Sequence, residues 1–137
     1  MRFHRAEPRD SNNQKVLEQW ISFNSFASRL LGRGVIDWYD FGIWAIEDCL
    51  EMRAELSRLP YRVTVVSQWM EHSSAALAEV MRGGDEKISL NRWRYWKRLL
   101  ERMVLNSGLD EEGKATAIRT ADLMGTELKN VQNGTET

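Results

Sequence analysis

Residues 37–57, DWYDFGIWAIEDCLEMRAELS, decide the fold class. Wound at 3.6 residues per turn, they set Trp38, Phe41, Gly42, Ala45, Cys49, Met52 and Leu56 along one stripe. Tyr39, Ile43, Ile46 and Leu50 widen that stripe until most of the circumference is apolar. A helix so covered needs other helices around it, so the segment predicts the central helix of an all-α fold, a compact bundle of about five helices. Its remaining strip holds Asp40, Glu47, Asp48 and Glu51, with Trp44 among them.

Four more helical patterns flank this one. Upstream, Ser11 is a candidate N-cap for a helix that runs to the Gly32-Arg33-Gly34 stop, with Val16, Trp20, Phe23, Ala27, Leu30 and Leu31 predicted to face inward. Downstream, Pro60 suits the first turn of a third helix that ends at Gly83-Gly84. That helix offers Val66, Trp69, Met70, Ser73, Ala76, Leu77, Val80 and Met81 to the core, with His72 on the margin. After the loop GGDEKIS, Ser89 can cap a fourth helix with Trp93, Trp96, Leu99, Leu100, Met103 and Val104 inward. Asp110 can cap a fifth that runs to about Leu128, along which Ala117, Ala121 and Gly125 form a strip of small residues. The chain thus divides into a flexible segment over 1–10, a single helical domain over 11–129 and a flexible tail over 130–137.

Composition narrows the function classes. With 137 residues one core suffices, and a formal net charge of -1 supplies no broad field for nucleic acid or an anionic membrane. No run of about 18 apolar residues and no signal-like N-terminus are present, so the expected location is cytoplasmic, with no membrane and no nucleic acid among its partners. The lone Cys49 sits in an apolar pattern and reads as a small buried side chain. A glycine-rich phosphate loop, a His pair at metal-ligand spacing and a Cys pair are all missing, so neither a cofactor nor a metal is expected.

What stands out is six tryptophans in so short a chain, each on a helical segment beside polar neighbours. An indole N–H must find an acceptor when buried, so Gln68 or Asp48 can serve structure as well as function. Arg92 lies on the apolar side of the fourth helix, one turn before Trp96, where it can stack on the indole. It is expected to be mostly buried and to pair with Asp40, Asp48 or Glu47 of the second helix. His72 is a candidate acid or base because an unperturbed imidazole changes charge near neutral pH, whereas Ser73, within the apolar face, is expected to bond back to its own helix.

At these residues the chain resembles a family of fungal proteins described only as a helical domain of unknown function, some of them encoded in natural-product gene clusters. The matching pieces are Trp20 with Phe23 and Phe26-Ala27-Ser28-Arg29-Leu30, then Phe41-Gly42-Ile43-Trp44-Ala45, Gln68-Trp69-Met70, and Arg92-Trp93-Arg94-Tyr95-Trp96-Lys97. Glu47 and His72 depart from the family pattern. The resemblance implies a helical fold and a biosynthetic context, and it transfers no catalytic residues.

Two functions compete. One is a small cofactor-free enzyme of cyclase, isomerase or dehydratase type. It would hold an apolar small molecule among Trp44, Gln68, Trp69, Trp93 and Trp96, with Asp48 or His72 moving a proton and Arg92 stabilising negative charge. The other is a non-catalytic helical interaction protein or ligand carrier that forms a homodimer through exposed aromatic and small-residue faces. A concave pocket with converging polar groups favours the first, and an exposed apolar patch the second.

Overall fold

The structure is a computed structural model that describes residues 14–52, 56–84, 88–105 and 108–135, with side chains through Val131 in the last segment. Five α-helices follow one another among these residues: α1 (Gln14–Gly32), α2 (Tyr39–Glu51), α3 (Leu59–Arg82), α4 (Leu90–Met103) and α5 (Glu111–Thr135). A 3-10 turn, Leu56–Arg58, leads into α3, and no strand occurs among the described residues. Ser11 and the segment 1–10 lie outside the described residues.

The central helix is α3, not α2, for α3 packs against each of the other four. The apolar run in residues 37–57 overstates α2 because Met52 and Leu56 are exposed and the helix stops at Glu51. Met52 turns to an extended conformation, and the Arg62 guanidinium of α3 donates to its carbonyl oxygen at 2.6 Å, giving the chain end of α2 a cap from another helix. By contrast α3 buries residues all around its axis, among them Val63, Val65, Val66, Trp69, Met70, Leu77 and Met81.

Two glycines set how closely α1 and α2 approach α3. A Cβ at Gly42 would stand 2.9 Å from Cζ3 of Trp69, so the indole lies flat against the α2 backbone. A Cβ at Gly32 would fall 1.9 Å from the carbonyl oxygen of His72, at the point where α3 departs from helical geometry at Ser73 (φ -138°, ψ 16°). Ser73 bonds back as expected, Oγ to the Trp69 carbonyl oxygen at 2.7 Å, a contact known to bend helices. The kink therefore forms where the end of α1 presses on α3.

The remaining helices follow their sequence signals closely. The Ser89 side chain accepts from the Arg92 backbone N–H, and Asp110 Oδ1 accepts from Gly113 N–H at 2.8 Å. In α1 the buried face is Leu17, Trp20, Asn24, Ala27, Ser28 and Leu31, turned away from the expected Val16, Phe23 and Leu30, which are partly exposed. Helix α5 continues past Leu128 to Thr135, with Val131 packed into the core, so a flexible tail does not begin at 130. Its small-residue strip is occupied inside the bundle: Ala117 and Ala121 are buried and Gly125 faces the Lys97 stem of α4. That strip gives a dimer nothing to bind. Cys49 is buried, and no helix among the described residues is long and apolar enough to cross a membrane.

Candidate functional site

The expected site residues divide between two polar networks and the core. The first network joins α2 to α4. Ser89 caps α4 so that Arg92, in the first turn, faces the last turn of α2. There Glu51 Oε2 accepts from Arg92 Nε at 3.1 Å, from Arg92 Nη2 at 2.9 Å and from Trp96 Nε1 at 2.6 Å. Arg92 Nη2 also reaches Glu47 Oε2 at 3.0 Å, and the guanidinium carbon lies 5.5 Å from the Trp96 ring centre, a cation–π contact. Burial works against the Arg92 charge, but the hydrogen bond and charge of Glu51, with those of Glu47, outweigh it and raise the Arg92 pKa above its ordinary value. The pairing with Glu47 is as expected, whereas Glu51, the main acceptor, went unnamed among the partners. Arg92 stands at the rim of the α2–α4 contact, where 29% of its side chain remains exposed and the rest is covered.

The second network joins α1 to α3. Ser25 Oγ donates to Gln68 Oε1 at 2.7 Å and accepts from Arg29 Nη2 at 3.0 Å. His72 Nε2 stands 3.2 Å from the same Gln68 oxygen, and with that oxygen as acceptor Nε2 carries the proton. Ser25 and His72 thus meet on Gln68 rather than on each other, and no nucleophile–base pair results. One residue before Ser25, fully buried Asn24 accepts from Trp69 Nε1 at 3.0 Å and donates to the Trp20 carbonyl oxygen at 2.9 Å. Asn24, Ser25, Arg29 and Glu51 were all missed as partners. Asn24 carried a signal, since a polar residue at i+4 from Trp20 on a buried face implies a buried partner.

Trp69, Trp93 and Trp96 are completely buried, and each N–H is satisfied, that of Trp93 by the Met124 carbonyl oxygen at 3.0 Å. Trp93 and Trp96 stack obliquely with ring centres 6.4 Å apart. Two open clefts are described, about 530 Å³ between α4 and α5 and about 440 Å³ between α1 and α3, and neither is lined by a tryptophan. Among the described residues no three His, Cys, Asp or Glu side chains gather as a metal centre would.

Trp44 and Asp48 lie on the outer side of α2. Trp44 is 42% exposed and Trp38 40%, and Trp38 stacks on Phe41, which in turn meets Phe23 and Trp69. Around them α2 carries four carboxylates and no basic residue. The neighbouring α4 carries five basic residues and a single acid. Its outward stripe, Asn91, Tyr95, Arg98 and Arg102, has an aromatic in its middle as α2 does, with Tyr95 40% exposed.

Both networks and both faces fall largely within one family's span: the model described as Protein of unknown function (DUF3632) matches residues 1–100. The chain belongs to this family. Helices α1 to α3 and most of α4 lie inside the matched DUF3632 region, and α5, which covers α3 and α4, lies beyond it. No curated protein and no solved structure matches the chain.

Proposed function

We propose that this DUF3632 protein is a non-catalytic interaction module that pairs with a second copy of itself, the acidic–aromatic face of α2 on each chain lying against the basic face of α4 on the other. The observation that carries this reading is the exposure of Trp44 and Trp38 among carboxylates, beside a helix of opposite charge with Tyr95 at its centre. A two-fold axis between adjacent helices brings each face to its complement twice, and Trp and Tyr are common anchors of such contacts. Charge sets the register and the aromatics supply the affinity.

The cofactor-free enzyme has less behind it. Its indoles Trp69, Trp93 and Trp96 are core residues with satisfied N–H groups, and His72 and Arg92 belong to separate networks. The fungal, biosynthetic setting implied by the resemblance suits a cytoplasmic partner subunit as well as an enzyme, so it does not choose between them.

A charge exchange tests the proposal. Asp40→Lys with Asp48→Lys makes both faces of one variant basic, and Arg98→Glu with Arg102→Glu makes both faces of the other acidic. Light scattering should give the mass of two chains for the parent, one chain for each variant alone, and two again for their equimolar mixture. Trp44→Ala removes one anchor from each chain and should weaken the parent pair by about a thousandfold, from roughly 4 kcal/mol for two buried aromatic anchors. A parent that stays monomeric at every concentration, or variants that still self-pair, would refute the arrangement.

A further inference from the structure

The cleft of about 440 Å³ between α1 and α3 falls in the range of small-molecule sites, and its hydrogen-bond inventory is one-sided. Apart from Ser22, the hydroxyls that line it have already given their protons. Ser25 donates to Gln68 Oε1, and Thr64 Oγ1 donates to the Pro60 carbonyl oxygen at 2.9 Å. Because Gln68 Oε1 takes the Ser25 hydroxyl and faces His72 Nε2, the side-chain amide is oriented, and its N–H₂ has no partner among the described residues. Arg29 gives one N–H to Ser25 and has no carboxylate partner among the described residues. Four guanidinium N–H groups and two amide N–H groups thus border one cleft as open donors.

The charge and shape of the cleft narrow the ligand. One guanidinium beside a neutral amide presents a single positive charge and planar donors, which match a carboxylate better than a doubly charged phosphate. The rest of the lining includes Ile21 and the 58% exposed ring of Phe26, an apolar shelf next to the donors. Ser25, itself buried, holds Arg29 and Gln68 in one hydrogen-bonded row, so the donors are fixed before anything binds. We infer that this cleft binds a small amphipathic monocarboxylate, its carboxylate on Arg29 and the Gln68 amide and its apolar body on Phe26 and Ile21.

The site shares no residue with the α2 and α4 faces, so it stands or falls apart from self-association. The probe is phenylacetate, with neutral phenylacetamide as its control, followed by nitrogen–proton correlation spectra of the full chain. Saturable shifts of the Gln68 side-chain amide and the Arg29 Nε–H are expected with the acid, and affinity about tenfold lower or worse with the amide, since only the charged hydrogen bonds are lost. Arg29→Gln should lose affinity for the acid to the same extent. Gln68→Glu, which sets a competing carboxylate beside Arg29, should abolish binding, with unchanged circular dichroism confirming the fold of both variants. Equal affinity for acid and amide, undiminished binding by either variant, or no saturable shift up to tens of millimolar acid would overturn the inference.

Discussion

Replacing Glu51 by alanine tests whether the α2–α4 junction is held by a buried hydrogen bond or by its ion pair. Glu51 Oε2 serves three donors at once, and they differ in their surroundings. The Trp96 indole is completely buried, so loss of its acceptor at 2.6 Å exposes the full desolvation penalty of one N–H, about 1–3 kcal/mol. The Arg92 pair is wetter: the two side chains keep 29% and 26% exposure, and solvent reduces its worth to about 0.5–1 kcal/mol. Glu51→Ala should therefore destabilise by about 2–3 kcal/mol. Glu51→Gln retains an oxygen for Trp96, and Arg92→Ala leaves the indole bond intact, so each should cost only about 1 kcal/mol.

Urea unfolding measures the three differences, with an unchanged slope required for the comparison. If Glu51→Ala costs no more than Arg92→Ala, the indole does not depend on Glu51. If Glu51→Gln is as severe as Glu51→Ala, charge dominates and the argument from burial fails. Titration of Arg92 itself should add no pH dependence up to about pH 9. Its folded pKa is raised, so its stabilisation is complete below the unfolded value and lost only as pH rises through the folded one, both far above about pH 9.

Two further substitutions examine how α1 seats on α3. Asn24→Ala strands the Trp69 N–H and opens a void, and should cost about 2–4 kcal/mol in urea unfolding. In a Trp69→Phe background the same change should cost at least about 1 kcal/mol less, and strict additivity would show that the bond contributes nothing. Gly32→Ala drives a methyl group into the His72 carbonyl oxygen, a backbone atom that has no rotamer to escape through. A loss of about 3 kcal/mol or more should appear as a lower melting temperature, and a near-neutral result would mean that α1 is free to move off the kink.

Helices were legible in the sequence because their signals are local. The Ser89 and Asp110 caps, the Pro60 start and the Ser73 back-bond each involve residues within four positions of one another. Faces were less legible, because apolarity alone rotates a helix wrongly whenever a polar residue is buried for the sake of a distant partner. Asn24 and Ser28 pulled the buried side of α1 away from Phe23 and Leu30, and nothing near them in sequence names Trp69, 45 residues on. The same limit hid the Glu51 role. A wheel of α2 assigns it to the outer strip with Glu47 and Asp48, and only the approach of α4 distinguishes a carboxylate that accepts from a buried indole.

The net charge of -1 illustrates the point on the scale of the whole molecule. Summed over the chain, it argues against charged partners, yet beyond the Arg92 pairing with Glu47 and Glu51, α2 carries Asp40 and Asp48 and the adjacent α4 carries four further basic residues with one acid. Opposite charges on neighbouring helices cancel in the total while leaving two strong local fields, which act within about 8–10 Å at moderate salt and are therefore felt only by a surface in contact. In the proposed pair, such segregation would give a chain of net charge -1 an orientation-dependent attraction to its own copy. Pairing through these faces should accordingly weaken as salt rises, whereas a contact made by the aromatics alone would hold or tighten under the same change.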